Sequence, residues 1–102
     1  MEQRNERSDE RTDFAELLVE IARGDEFALA TFYDATVRRV FGLILRILGD
    51  SGAAEETALD VYLDVWKKSS SYDPDRGRAI AWLLTIARNR AIDRLRSVGF
   101  RR

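Results

Sequence analysis

Apolar residues recur along this 102-residue chain at intervals of three and four, and polar punctuation divides the recurrence into four blocks. Asp13, with Glu16 three residues on, has the form of a capping box. Phe14, Leu17, Leu18 and Ile21 follow at helical spacing until Gly24 ends the run. The second block is the longest. After Asp25, the positions Phe27, Leu29, Phe32, Tyr33, Val37, Val40, Phe41, Ile44, Leu45 and Leu48 predict one long helix that is mostly core. Gly49, Asp50, Ser51 and Gly52 separate it from a third helix over about 53–68. There Leu59, Tyr62, Leu63 and Trp66 form an apolar stripe that Ala58, Val61 and Val65 extend. Residues 69–77, SSSYDPDRG, hold the only proline and predict a loop, and a fourth helix starts near Arg78 or Ala79. No segment sustains period-two alternation, so the expected fold is all-α, a compact bundle of about four helices. Residues 1–12, MEQRNERSDERT, hold one apolar residue among charges of both signs and are expected to stay disordered.

The fourth block, AWLLTIARNRAIDRLR at 81–96, holds an oddity. On a helical wheel Ile80, Leu83, Leu84, Ala87, Ala91 and Leu95 make one apolar stripe. Trp82 falls opposite, with Thr85, Asn89, Asp93 and Arg96, while Arg88, Arg90 and Arg94 fill the flanks. A large aromatic beside an amide and guanidinium groups suits single-stranded nucleic acid: a face for a base to stack on, a bidentate hydrogen bonder, and charge for phosphates. The competing reading is that Trp82 packs on the loop or on the first helix, since most tryptophans are largely buried.

Composition narrows the chemistry. A chain of 102 residues, 45% hydrophobic, supports one domain with a modest core. Cysteine and histidine are both absent, which removes disulfides, thiolate chemistry, the usual zinc ligands and the commonest general base. The expectation is therefore a protein that is not an enzyme and holds no cofactor or metal. No run of eighteen apolar residues and no signal-type start occurs, which predicts a soluble, cytoplasmic protein that does not enter a membrane. The net charge of −1 hides a division: through Asp75 nine Lys or Arg stand against seventeen Asp or Glu, a balance of −8. From Arg76 onward eight Arg stand against Asp93 alone, a balance of +7. An arginine-rich segment is the footprint of a polyanion partner, or else a solvated helix face.

Two further groups invite a functional reading. Tyr72, Asp73, Arg76 and Gly77 immediately precede the basic helix, where a rigid turn could form a pocket for an extruded base; an ordinary helix connection stiffened by Pro74 is the plainer alternative. Glu56, Asp60 and Asp64 stack at i, i+4 and i+8 on one face of the third helix, where like charges repel. They suit a basic protein partner, or simply solubility.

Three pieces taken in order resemble region 2 of the extracytoplasmic-function group of bacterial sigma-70 factors: EETALDVYLDVWK (55–67), YDPDRGRAIAWLLTIARN (72–89) and RAIDRLR (90–96). ARGDEFALATFYDATVRRVFGLILRILGD (22–50) is similar to the helical segment that precedes them in that family, so the resemblance covers about residues 13–98. It implies a helical promoter-recognition domain that binds the clamp helices of core RNA polymerase through its third helix. The loop and fourth helix would engage the minus-ten element and hold a base flipped from the non-template strand. On this mapping Tyr72, Asp73, Arg76 and Gly77 belong to the base-capturing loop, and Trp82, Arg88 and Asn89 match the recognition and melting helix; Thr85 and Arg96, which share the Trp82 face on the helical wheel, are expected to bind DNA with them. Asp60 falls at an acidic position of the polymerase-binding motif, and Glu56, Leu63 and Asp64 of the same helix are expected to bind polymerase with it. That motif commonly has glutamine directly before its acidic residue, where this chain has Leu59. Family members also carry a second domain with a helix-turn-helix, so residues 99–102 are expected to be a basic tail leading toward it. An anti-sigma factor is a further partner the resemblance allows. The alternative function is a helical protein-interaction module, a regulator or sequestering partner, that binds no DNA.

Overall fold

The computed structural model describes the backbone of residues 6–101 and the side chains of residues 14–97. Four helices carry the fold: α1 (Glu6–Ala22), α2 (Glu26–Leu48), α3 (Ser51–Lys68) and α4 (Ala79–Arg101). Two single 3₁₀ turns, Ser69–Ser71 and Pro74–Arg76, connect α3 to α4. No strand occurs among the described residues, as the absence of period-two alternation predicts.

The first two corners use one device. Gly24 and Gly49 adopt left-handed backbones at φ 93° and 72°, which an L side chain would strain. Each is followed at once by an aspartate that caps the next helix. The Asp25 carboxylate accepts from the Phe27 and Ala28 amides at 2.9 and 3.1 Å, and that of Asp50 accepts from Ala53 at 2.7 Å. Capping by Asp50 draws Ser51 and Gly52 into the first turn of α3, ahead of the start near 53 read from the pattern.

Both chain ends are more helical than the pattern implies. α1 begins at Glu6, so Asp13 lies inside the helix and not at its N-cap. Residues 6–12 contain neither Gly nor Pro, and nothing in them stops a helix anchored by Phe14, Leu18 and Ile21 from extending backwards. The rest of the segment expected to be disordered, residues 1–5, lies outside the described residues. At the other end α4 runs to Arg101, so residues 99–101 continue the helix.

Helix α2 lies at the centre, packed against α1, α3 and α4. Its buried positions, Ala28, Phe32, Thr36, Val40 and Ile44, stand four apart. A line of that spacing drifts about 40° around the helix at each step, so α2 turns successive parts of itself to its three neighbours. Phe32 meets Phe14 of α1 edge to face, centroids 5.7 Å apart. Four residues on, Thr36 donates to the Phe32 carbonyl at 2.7 Å, which leaves the buried Tyr62 hydroxyl of α3 to donate to Thr36 Oγ1 at 2.6 Å. Burial pushes the Tyr62 pKa up to about 12, so it keeps that proton. On α4, Ala79, Leu83, Ala87 and Ala91 form the fully buried line, and the small side chains let the helix approach its partners closely.

Candidate nucleic-acid interface

The connection between α3 and α4 is braced by its own side chains. Tyr72 donates its backbone N–H to the Ser69 carbonyl at 3.1 Å and its hydroxyl to the Gly77 carbonyl at 2.8 Å, tying the two ends together. Asp73 Oδ1 accepts from the Asp75 amide at 2.9 Å, and Pro74 opens the second 3₁₀ turn, where its missing N–H costs nothing. Gly77, at φ 154° and ψ 176°, occupies a backbone region open essentially to glycine alone. A Cβ there would touch nothing, so the requirement is conformational and not steric. Burial, and secondarily the Asp73 carboxylate, raises the pKa of the Tyr72 phenol, so it remains a neutral donor.

This brace forms the rim of a cavity of about 330 Å³. Tyr72, Asp73, Arg76 and Gly77 line it from the connection, and Trp82 and Thr85 from α4. All six are residues that the sequence singles out. Ser71, Arg78 and Ala81, which the pattern does not mark, complete the wall. The two readings of Trp82 prove compatible. Its indole meets Tyr72 edge to face, at a centroid distance of 5.8 Å and 61° between planes, and it rests half-buried against the core while still lining the cavity. Packing on the loop is what holds the ring in position. Thr85 donates to the Ala81 carbonyl at 2.9 Å, leaving its oxygen as an acceptor.

The remaining expected nucleic-acid residues lie outside the cavity. Asn89 is exposed two turns beyond Trp82 on the same side of α4, about 10 Å along the axis, and Arg96 is two turns further. Arg88 is exposed as well, on another part of the helix surface. The structure thus gives a cavity at the start of α4 and a polar strip along it, not a single cluster.

Arg90 and Arg94 go elsewhere. Arg90 holds Asp64 through two parallel hydrogen bonds, Nε to Oδ2 at 2.7 Å and Nη2 to Oδ1 at 2.9 Å, and Arg94 reaches Glu56 at 3.0 Å. The Arg90 guanidinium holds the Asp64 carboxyl below the usual range, against the opposing effect of burial. The acidic line on α3 is therefore directed at α4. Asp64 is only 5% exposed and does not share an open face with Glu56. A spacing of four carries each carboxylate about 40° further round α3, and after two such steps Asp64 has turned into the helix contact. Asp60, half-buried, shares a small cleft with Arg90 and Arg94.

What α3 presents outward is apolar. Leu59 and Leu63 are 61% and 55% exposed and Trp66 is 36% exposed; with Leu29 and Tyr33 of α2 they line a groove of about 500 Å³. The stripe read as one apolar face is thus two: Ala58, Val61, Tyr62 and Val65 toward the core, and Leu59, Leu63 and Trp66 toward solvent. Of the four expected polymerase-binding residues, only Leu63 lies in this groove. Leu59 and Trp66 are the members that the polar pattern overlooked, and large apolar residues in excess of what the core covers are the signal that identifies them.

Over residues 32–101 the chain matches the family described as Sigma-70 region 2. The chain belongs to the sigma-70 family. Its relatives include the ECF RNA polymerase sigma factor SigK of Mycobacterium ulcerans (strain Agy99), 51% identical over 85 residues that make up 83% of this chain and 46% of that protein. The protein of the same name from Mycolicibacterium vanbaalenii is 54% identical over 81 residues, 79% of this chain and 41% of that protein. The SigK protein of Mycobacterium tuberculosis (strain ATCC 25177 / H37Ra) is 48% identical over 85 residues. The chain spans a little under half the length of these relatives. The sigma-70 region takes in the whole cavity beside Trp82, the ion pairs between α3 and α4, and the α3 side of the apolar groove.

Proposed function

We propose that this sigma-70 region 2 recognises the minus-ten element of promoter DNA while docked on the clamp helices of core RNA polymerase. The cavity beside Trp82 takes a base turned out of the non-template strand, and the strip from Asn89 to Arg96 follows the strand away from it. The carrying observation is the cavity itself: two aromatic rings set edge to face, a carboxylate, a hydroxyl and two exposed arginines converge on a space open to solvent. Those are the parts for stacking a base, reading its edge and neutralising its phosphate. The apolar groove of Leu59, Leu63 and Trp66 supplies the face for polymerase, with Asp60 and Glu56 at its acidic margin. Asp64 supports that helix from within. The activity is binding and strand separation, with no bond made or broken, and it calls for no cofactor.

Fluorescence anisotropy with single-stranded oligonucleotides carrying candidate minus-ten sequences tests the proposal. Trp82→Ala is expected to weaken binding by the worth of one stacked base, about 1–3 kcal/mol. Asn89→Ala is expected to narrow the preference for matched over scrambled sequence, while Arg88→Ala weakens both alike. Equal affinity of the wild-type chain and Trp82→Ala for every oligonucleotide would remove the cavity from DNA binding.

A further inference from the structure

The cavity beside Trp82 carries a hydrogen-bonding bias that the function proposed above does not use. Three residues of its wall bear hydroxyls, and each hydroxyl has its proton committed within the protein. Ser71 Oγ donates to the Lys68 carbonyl at 2.7 Å, the Tyr72 hydroxyl to the Gly77 carbonyl at 2.8 Å, and Thr85 Oγ1 to the Ala81 carbonyl at 2.9 Å. Once its proton is committed, a hydroxyl can only accept. Redirecting one of these protons to a ligand breaks a bond in order to make one, and little is gained. Asp73 adds a carboxylate to the same wall. Its Oδ1 accepts from the Asp75 amide at 2.9 Å, and its Oδ2 takes no hydrogen bond from another described residue. The side-chain donors left among the lining residues are the indole N–H of Trp82 and the exposed guanidinium groups of Arg76 and Arg78.

We infer that this cavity selects a base that carries an exocyclic amino group and rejects thymine, with the Asp73 carboxylate as the group that makes the choice. The inference rests on the promoter-DNA reading and adds a chemical preference to it. The amino group of cytosine, adenine or guanine brings two N–H donors to a wall rich in acceptors, and the bond it makes to a carboxylate oxygen is charge-assisted. Thymine has nearly the outline of cytosine but sets a carbonyl where cytosine has its amine. Against Asp73 Oδ2 and the committed hydroxyls that carbonyl meets lone pairs with lone pairs, so acceptors on both sides are left unpaired. The carboxylate fixes the sign. A hydroxyl can turn its proton outward at a cost, whereas an ionised carboxylate has none to offer. The two arginines suit the phosphates on either side of the held base, whichever base it is.

The test sets 5-methylcytosine or thymine at each position in turn of a single-stranded oligonucleotide with a candidate minus-ten sequence, and reads binding of the 102-residue chain by fluorescence anisotropy. The two bases share ring and methyl group and differ in the amine or carbonyl at C4 and the proton on N3. At one position 5-methylcytosine is expected to bind at least about fivefold more tightly, and Trp82→Ala should erase that difference. Asp73→Asn is the diagnostic variant. Its amide oxygen can still accept from the Asp75 amide while an NH2 donor takes the place of Oδ2, so the preference should vanish or turn toward thymine. Helical circular dichroism confirms that both variants fold. A preference for 5-methylcytosine that survives Asp73→Asn overturns the assignment, since damage to the loop alone weakens both bases alike. A position where Trp82→Ala weakens binding but the two bases bind equally also overturns the selection, and leaves the base-holding cavity standing. No position at which Trp82→Ala matters overturns both.

Discussion

The Asp64 carboxylate lies inside the α3–α4 contact with both oxygens occupied by Arg90, whose own side chain stays 44% exposed. A charged hydrogen-bonded pair of this kind stabilises by about 1.5–3 kcal/mol, and the exposure of Arg90 puts this one toward the lower figure. The Glu56–Arg94 pair, 70% and 35% exposed at its side chains, is worth less, about 0–1 kcal/mol. Because Arg90 depresses the Asp64 pKa, the pair contributes fully above the unfolded carboxylate value near pH 4. That contribution is lost as the pH falls through the lower native value. Asp64→Asn is therefore expected to be less stable than wild type at neutral pH, with the gap closing as the pH is lowered below about 4. Urea unfolding at a series of pH values measures this. A gap that stays constant with pH would mean that the pair does not titrate as described.

At the level of helices, the four elements and the connection were legible because periodicity and the Gly-Asp corners are local properties. The rotation of each helix was not. The apolar stripe read for α4 centres on Ile80, Leu84 and Ala91, whereas the buried line Ala79–Leu83–Ala87–Ala91 lies about 45° to one side. That rotation leaves Leu95 46% exposed, brings Arg90 and Arg94 to α3, and makes Trp82 half-buried instead of fully outward. Periodicity marks an apolar arc, but only the partner helices decide which part of the arc is covered. The same reasoning splits α3 into a core face and an open apolar face, which bears on polymerase. Leu63→Asp should abolish most retention on core RNA polymerase in a pull-down. Asp60→Ala, at the margin, should reduce it less, and both should keep wild-type helical circular dichroism because neither side chain is fully buried. Undiminished retention of Leu63→Asp would move the docking surface off this groove.

For the molecule as a whole, the balance of −8 before Arg76 and +7 after it is partly settled internally. Arg90 and Arg94 neutralise Asp64 and Glu56, so the basic segment spends two of its eight arginines on holding α4 against α3. Arg76, Arg78, Arg88 and Arg96 are exposed and make no ion pair with another described residue. These four are the cations open to phosphate among the described side chains of that segment. Each phosphate contact with a single strand releases counterions worth about 0.7 in the slope of log K against log salt, so four contacts predict a slope of about −3. Use of all eight arginines would give nearly −6. Titrating a matched single-stranded oligonucleotide from low to moderate salt separates the two. Arg88→Ala should make the slope shallower by about 0.7, and Arg94→Ala should leave it unchanged, because Arg94 already has its counter-charge on α3. A slope that moves equally in both variants would show that the α3–α4 ion pair opens when DNA binds and that the helix lock is not preserved in the complex.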